Sequence, residues 1–123
     1  MSKEMLFYYC PICKNLMGAI HHPGPVPVCC GKPMEALVAG SVDAAKEKHI
    51  PVVTHENGKL IVTVGSVEHP MTEPHYIQWI AVTNGVYTQR IALTPVDAPR
   101  AEFTDIGEAT VYAYCNLHGL WKA

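Results

Sequence analysis

Residues 51–64, PVVTHENGKLIVTV, contain two strand-like runs around a tight turn. The runs are residues 52–54 (VVT) and 60–64 (LIVTV), and the residues between them include Asn57-Gly58. β-branched residues favour strands, and Asn-Gly between two such runs is typical of a two-residue hairpin turn. This stretch therefore predicts an antiparallel β-hairpin.

The same pattern recurs further along the chain. Residues 77–83 and 87–93 lie on either side of a second Asn-Gly pair at 84–85, which predicts a second two-residue hairpin. Residues 109–115 (ATVYAYC) predict another strand, and only residues 43–48 favour a helical turn. Short strands at this spacing predict an all-β fold, an antiparallel sandwich.

The first part of the chain differs in composition from the rest. Residues 1–37 are rich in Cys, Pro and Gly and show little hydrophobic periodicity. So small a segment buries too little apolar surface to fold without help, and a bound metal supplies that help. We therefore predict a metal-binding domain at 1–37 and a β-sandwich domain at 38–123.

Composition excludes several classes of partner. The 123 residues carry a formal charge of −2, and no cluster of Lys or Arg offers the basic surface that nucleic acids require. No segment approaches the roughly 18 apolar residues of a membrane span, and the first residues lack the apolar core of a signal peptide. We expect a cytoplasmic protein that binds neither nucleic acid nor membrane.

Five cysteines in a reducing compartment favour metal ligation over disulfides. Four of them form what we call the cysteine site: Cys10, Cys13, Cys29 and Cys30. Adjacent side chains can share a metal only if the backbone turns sharply, which Gly31 permits. A four-sulfur site suits zinc or a single iron, and the spacing leaves a structural zinc knuckle and a one-electron iron carrier equally favoured.

Four histidines lie beside Pro, Gly or hairpin boundaries: His49, His69, His75 and His118. A single histidine is usually a surface or core residue, but Cys115 and His118 have a spacing often used to present two ligands to one metal. Spacing alone leaves open how many of these histidines share a metal, and we call the four histidines and Cys115 together the histidine site. We expect His55 to be solvated and assign no role to His21 or His22.

At these residues the sequence resembles the desulfoferrodoxin type of superoxide reductase, the two-iron class, along essentially its whole length. The N-terminal part is similar to a desulforedoxin module, with Cys10-x-x-Cys13, Cys29-Cys30 and Gly31-Lys32-Pro33-Met34. The remainder resembles the superoxide reductase domain in the following motifs: Glu47-Lys48-His49-x-Pro51-Val52, Thr63-Val64-Gly65, His69-Pro70-Met71, His75-x-Ile77-x-Trp79-Ile80 and Tyr114-Cys115-Asn116-Leu117-His118-Gly119-Leu120-Trp121-Lys122-Ala123.

The resemblance implies a fold, a reaction and two cofactors. The fold is an immunoglobulin-like β-sandwich that carries the small N-terminal domain and assembles as a homodimer. The reaction is the one-electron reduction of superoxide to hydrogen peroxide, with electrons from an external rubredoxin-like donor. Each chain would hold two irons, one at the cysteine site and one at the histidine site, where the four imidazoles are equatorial and Cys115 is axial.

Glu47 and Lys48 also have roles implied by the resemblance. Lys48 would attract the anionic substrate and help to deliver a proton, and Glu47 would bind the oxidised iron. The residues alone leave other functions open. These are a partner-binding module with a structural zinc, an electron carrier that uses only the cysteine site, and superoxide dismutation.

Overall fold

The computed structural model describes residues 4–123, within which residues 5–38 and 39–123 each form a compact unit. The N-terminal unit has five short strands: β1 (Leu6–Tyr9), β2 (Leu16–Ala19), β3 (Val28–Cys29), β4 (Lys32–Pro33) and β5 (Glu35–Ala36). Strand β1 lies between β2 and β5 in one antiparallel sheet, and β3 pairs with β4 in a hairpin. The small core of this unit is formed by Tyr8, Cys10 and Met34.

The second unit contains one helical turn and seven strands. They are α1 (Lys46–His49), β6 (Pro51–Glu56), β7 (Lys59–Val64), β8 (Ile77–Thr83), β9 (Thr88–Ala92), β10 (Arg100–Thr104), β11 (Thr110–Cys115) and β12 (Gly119–Lys122). One antiparallel sheet has the order β10-β7-β6, and the other has the order β12-β11-β8-β9.

A single core lies between these two sheets. Alternate residues of β7, namely Leu60, Val62 and Val64, are buried there with side chains from β8, β10 and β11. This alternation is what a strand produces when one face packs inward. Seven strands in packed sheets of three and four match the immunoglobulin-like architecture. The predicted all-β sandwich with a small N-terminal metal-binding region is confirmed.

The first predicted hairpin is also confirmed. Glu56 pairs with Lys59, so that Asn57 and Gly58 alone form the turn between β6 and β7. Both residues have positive φ angles, 51° and 75°. Two-residue turns of this kind need positive φ at both positions, and Asn and Gly adopt it at low cost.

The second predicted hairpin is present, but its turn is longer than two residues. Thr83 pairs with Thr88, which leaves a four-residue loop at 84–87. The Asn84 side chain explains the difference, because its Oδ1 accepts hydrogen bonds from the backbone NH groups of Val86 and Tyr87 at 2.9 and 2.8 Å. A side chain that satisfies two loop amides stabilises the wider turn.

One predicted element lies at a different position in the chain, and several observed strands were not predicted. The helical turn lies at 46–49 rather than 43–48 and therefore includes His49. Strands β10 and β12 and the short strands of the N-terminal unit were not predicted. Among residues 4–123, no helix combines the length and apolar character needed to cross a bilayer.

Candidate metal centres

The cysteine site is assembled from two turns of the N-terminal unit. Cys10 and Cys13 lie in the loop after β1, where the backbone NH of Lys14 donates to the Cys10 carbonyl at 2.8 Å. Cys29 ends β3, and Cys30 follows in the turn to β4. The four sulfurs lie within 4.8 Å of one another.

The adjacent cysteines reach one point because the backbone turns between β3 and β4. Cys30 and Gly31 form a two-residue turn with positive φ angles of 52° and 73°. This confirms the predicted sharp turn at Gly31. A positive φ is uncommon for a residue with a side chain, and at Cys30 it accompanies a turn that brings the Cys30 sulfur to the other three.

The sulfur chemistry of the cysteine site fits a bound cation. The Sγ atoms of Cys13 and Cys29 are 3.5 Å apart, far longer than a disulfide of about 2.05 Å. That separation is close to the edge of roughly 3.8 Å in a tetrahedron with metal–sulfur bonds of about 2.3 Å.

The thiols of this site also differ in acidity. The backbone NH of Cys13 lowers the pKa of Cys10 to about 7, whereas hydrogen bonding with the Cys13 side chain raises the pKa of Cys30 to about 12. Four thiolates so close together repel one another unless a cation balances their charge. A metal ion is therefore the group that this site fits.

The histidine site lies at one end of the sandwich, where four segments of the chain meet. His49 ends α1, His69 lies in the loop after β7, and His75 lies two residues before the start of β8. Cys115 ends β11, and His118 lies in the turn to β12. Ligand atoms of His49, His69, His75 and Cys115 lie within 4.8 Å of one another.

The fifth predicted residue of the histidine site, His118, is next to this group. Its Nδ1 is 3.1 Å from Nε2 of His49 and 3.9 Å from Sγ of Cys115. The structure thus brings together all five residues that the sequence predicted to form this site.

The four imidazoles are arranged as a square. Neighbouring ring centroids are 4.7 to 5.0 Å apart around the sequence His49, His69, His75 and His118. The diagonal from His49 to His75 is longer, 6.4 Å. Neighbouring rings meet edge to face, at 76° to 87°. The Cys115 sulfur is the fifth candidate ligand of this group.

Hydrogen bonds to main-chain carbonyls determine which ring nitrogen faces the centre of this square. Nδ1 of His49 donates to the Ala45 carbonyl at 2.6 Å, and Nδ1 of His69 donates to the Pro70 carbonyl at 2.7 Å. With its proton on Nδ1, each neutral ring has only a lone pair on Nε2. Those two Nε2 atoms nevertheless approach to 3.2 Å.

Lone pairs facing each other at that distance repel unless a cation lies between them. The Nε2 atom of His75 is buried and has no hydrogen-bond partner among residues 4–123, as expected for an atom that binds a metal. Bonds from the other ring nitrogen to carbonyls are the usual support of metal-bound histidines. The residues of the histidine site therefore fit a metal ion.

Burial favours the neutral, metal-binding form of three of these imidazoles, those of His49, His69 and His75. Burial lowers the pKa of His69 to about 4, and burial also lowers the pKa of His49 and His75. Burial raises the pKa of the Cys115 thiol, although the backbone NH groups of Leu117 and His118 partly offset this effect. A metal would replace the thiol proton of Cys115, and binding would then release a proton.

Glu47 and Lys48 are exposed residues of α1, directly before His49. The charge of Lys48 adds to the lowering of the pKa of both His49 and His75, for which burial is the main cause. The ammonium group of Lys48 therefore acts electrostatically on two sides of the histidine site.

Two residues that support the histidine site were not predicted to do so. The Trp121 ring stacks on His49 at a centroid distance of 4.9 Å, and its Nε1 donates to the His118 carbonyl at 3.0 Å. Gly65 packs directly against the backbone of Glu47 and Lys48. Both residues occur in the quoted motifs, but only the folded structure shows what they contact.

The remaining histidines lie outside both sites. His55 is half exposed, in agreement with the expectation that it is solvated, and its Nδ1 donates a hydrogen bond to Oδ2 of Asp105 at 2.9 Å. This contact joins the end of β6 to the loop after β10. His21 is exposed, and Nε2 of His22 lies 3.1 Å from the Tyr8 hydroxyl.

Comparison with known proteins identifies relatives of this chain. The sequence model of the Desulfoferrodoxin family matches residues 41–123. A desulfoferrodoxin of Syntrophotalea carbinolica is 47% identical over 100% of this chain and 98% of its own. A desulfoferrodoxin homolog of Archaeoglobus fulgidus is 44% identical over 100% and 99%.

Solved structures resemble the fold as well. The superoxide reductase of Treponema pallidum is 36% identical and superimposes with a TM-score of 0.78 over 98% of both chains. A one-iron superoxide reductase of Giardia intestinalis is 30% identical, with a TM-score of 0.55 over 63% of this chain and 96% of its own. With two metal-competent sites and similarity along its full length, this chain belongs to the desulfoferrodoxin family.

Proposed function

We propose that this protein is a superoxide reductase. One superoxide, one electron and two protons give one hydrogen peroxide, and no oxygen is released. The observation that carries the proposal is the convergence of four imidazoles and the Cys115 sulfur at one end of the sandwich. Iron bound by these residues would supply the reversible gain and loss of one electron. The cysteine site would hold the second iron of each chain.

The residues of the histidine site suit an anionic substrate. Neutral imidazoles add no charge, so that ferrous iron with one thiolate has a net charge of about +1. Lys48 adds a positive charge close to His49 and His75. A small anion is attracted to such a site and concentrated there.

Protons for the product must come from outside the buried imidazoles. Those rings hold no transferable proton near neutral pH, because burial lowers their pKa values and two of them donate their single proton to carbonyls. Lys48 is exposed and lies beside this site, which supports a role in proton delivery through water. The role predicted for Glu47, as a carboxylate ligand of oxidised iron, is retained as part of the proposal.

The reaction consumes one electron for each superoxide, so an electron donor is needed. We propose a rubredoxin-like carrier, and we propose that the chain forms a homodimer; the family resemblance supports both. The five free cysteines support a reducing, cytoplasmic location. Sedimentation of the purified protein would test the dimer, and turnover with a purified rubredoxin would test the donor.

The proposed function is tested by measuring the metals and the products together. We expect two irons per chain, one hydrogen peroxide for each superoxide consumed, and no oxygen evolution from the reduced protein. We also expect a visible thiolate-to-iron absorption in the oxidised protein that Cys115→Ser abolishes. Oxygen evolution would indicate dismutation, and a colourless protein with one zinc would indicate a structural module.

A further inference from the structure

The backbone on both sides of His75 is bound by one side chain from a distant part of the sequence. Nδ2 of Asn116 donates to the Pro74 carbonyl at 3.0 Å, and Oδ1 of Asn116 accepts from the backbone NH of Tyr76 at 2.9 Å. The backbone NH of Asn116 also donates to the Tyr76 carbonyl at 3.2 Å. The two peptide groups next to His75 are thereby joined to the segment that follows β11.

Asn116 lies in the short segment that supplies two other members of the histidine site. Cys115 directly precedes it, and His118 follows two positions later. The β8–β11 ladder pairs Cys115 with Ile77, two residues after His75. The contacts of Asn116 extend this connection to the two peptide groups next to His75, which lie about 40 residues away in the sequence.

The contacts of His75 within its own loop have a different effect. The backbone NH of Thr72 donates to the His75 carbonyl at 3.0 Å, and the His75 NH donates to the Thr72 carbonyl at 3.1 Å. The Thr72 hydroxyl also donates to the His75 carbonyl, at 3.2 Å. These bonds give the loop its shape, but they do not connect it to β11. The position of the loop relative to Cys115 depends on contacts across the site.

We propose that Asn116 is a positioning residue that holds the His75 imidazole at the correct distance from Cys115 and His118 for all three to bind one metal. This inference rests on the proposed iron site. An amide is suited to the role because it donates to one peptide group and accepts from the other at the same time. Bonds that orient a metal ligand from outside the coordination sphere typically change metal affinity by about 10–100-fold when they are removed.

The chain offers a matched control at Asn84. That side chain also bridges two segments: Oδ1 accepts from Val86 and Tyr87, and Nδ2 donates to the Ile106 carbonyl at 3.2 Å. Asn84 lies in the loop between β8 and β9, and these three hydrogen-bond partners are not residues of the histidine site. Asn84→Ala therefore removes a comparable set of bonds without touching the proposed metal ligands.

The first experiment compares ferrous iron binding by the full-length protein in anaerobic competition with a chelator. We expect Asn116→Ala to weaken iron binding at the histidine site by about 10–100-fold and to shift the visible absorption of the oxidised protein. Asn84→Ala should match the parent in both measurements. Equal affinities and spectra for Asn116→Ala and Asn84→Ala would overturn the proposal.

Asn116→Asp provides a second variant in case Asn116→Ala does not fold. The carboxylate retains the acceptor for Tyr76 but cannot donate to the Pro74 carbonyl. Its negative charge favours a cation, so weaker iron binding by Asn116→Asp must come from the lost donor. We expect an affinity between those of the parent and Asn116→Ala. An affinity equal to or above that of the parent would count against the proposal.

A double-mutant cycle separates positioning of His75 from general support of the fold. If Asn116 acts through His75, adding Asn116→Ala to His75→Ala should weaken iron binding no further. If the losses of iron affinity caused by the two substitutions add fully in the double variant, Asn116 does not act through His75. The single variant His75→Ala tests the iron site itself. Unchanged iron binding by His75→Ala would refute the proposed iron site. If His75→Ala weakens iron binding and Asn116→Ala does not, only the positioning role of Asn116 is refuted.

Discussion

Lys48 combines exposure to solvent with an electrostatic effect on the histidine site. Burial is the main cause of the lowered pKa of His49 and His75, but the charge of Lys48 contributes to both. Glu47 acts on His49 in the opposite direction. These neighbouring residues of α1 therefore have opposite effects on an approaching anion.

Replacing Lys48 by isoleucine should slow the reaction with superoxide by roughly tenfold and reduce its dependence on salt, because steering of an anion is lost. Glu47→Ala should leave this reaction nearly intact. Pulse radiolysis of the reduced protein measures both rates. Lys46→Ile is the control, since it removes another exposed cation from the same helical turn. Equal rates for Lys48→Ile and the parent would remove Lys48 from the mechanism.

At the scale of elements, α1 is held in place by the loop that follows β7. The backbone NH of Val67 donates to the Glu47 carbonyl at 2.9 Å, and the Ser66 hydroxyl donates to the same oxygen at 3.3 Å. Gly65 makes this contact possible. A Cβ atom there would lie 2.8 Å from the Glu47 carbonyl oxygen and 2.2 Å from that of Val67, closer than side-chain atoms pack.

Gly65→Ala should therefore destabilise the protein and displace α1. Its φ of 88° is unfavourable for alanine, and the added methyl group collides with backbone atoms that cannot rotate away. Gly107→Ala is the matched control, because Gly107 has a φ of 81° and nothing within 4 Å of its Cβ position.

We expect Gly107→Ala to cost about 1 kcal/mol and Gly65→Ala at least about 2 kcal/mol more in urea unfolding. Only Gly65→Ala should also slow the reaction with superoxide, because it moves Lys48. Equal losses of stability in the two variants would show that the contact with α1 is unimportant.

The hairpins show how far local sequence determines an element. Asn57 and Gly58 favour a two-residue turn by their own backbone preferences, and the predicted turn formed. Asn84-Gly85 has the same composition, but the Asn84 side chain satisfies two loop amides and widens the turn. Strand β10 (RAEFT) was missed although Ala101 and Phe103 alternate with polar residues, because two apolar positions in five residues are a weak signal.

The candidate sites were predictable in composition but not in arrangement. Residue types and spacing singled out the histidines and Cys115 as candidates, but only the family resemblance implied that all five residues share one metal. The order of the imidazoles around the square, and the nitrogen that each presents, depend on tertiary contacts such as those of Ala45 and Pro70 with the rings. Support by Asn116 and Trp121 likewise depends on chain segments that meet only in the fold.

At the scale of the whole molecule, the buried histidines predict how stability depends on pH after the metals are removed. In the folded protein the pKa of His69 is about 4, against about 6.5 for an ordinary histidine. Between these values the unfolded chain binds a proton that the folded chain does not, so stability falls as the pH decreases from 6.5 to 4.

Urea unfolding of the metal-free protein across this pH range tests the prediction. We expect His69→Gln to flatten the decline, because the replaced side chain no longer takes up a proton on unfolding. The exposed His21 provides a control, and His21→Gln should retain the profile of the parent. A profile that is unchanged in His69→Gln would contradict the role given to burial of this imidazole.

The division into domains at residues 1–37 and 38–123 is a proposal that can be tested through the metals. Cys13→Ser should release iron from the cysteine site and expose residues 1–37 to proteases, since so small a unit needs its metal to remain folded. The visible band attributed to Cys115 should persist. Limited proteolysis with mass spectrometry, together with the spectrum, checks both expectations, and loss of that band would argue against independent domains.

The two sites also differ in how much of the chain each requires. The cysteine site uses residues 10–30 alone, whereas the histidine site draws on α1, the loops around residues 69 and 75, and the end of β11. During synthesis on the ribosome, the first site is complete once its hairpin has left the exit tunnel. The ligands of the histidine site can come together only after His118 has emerged and the two sheets have closed, later than the ligands of the cysteine site.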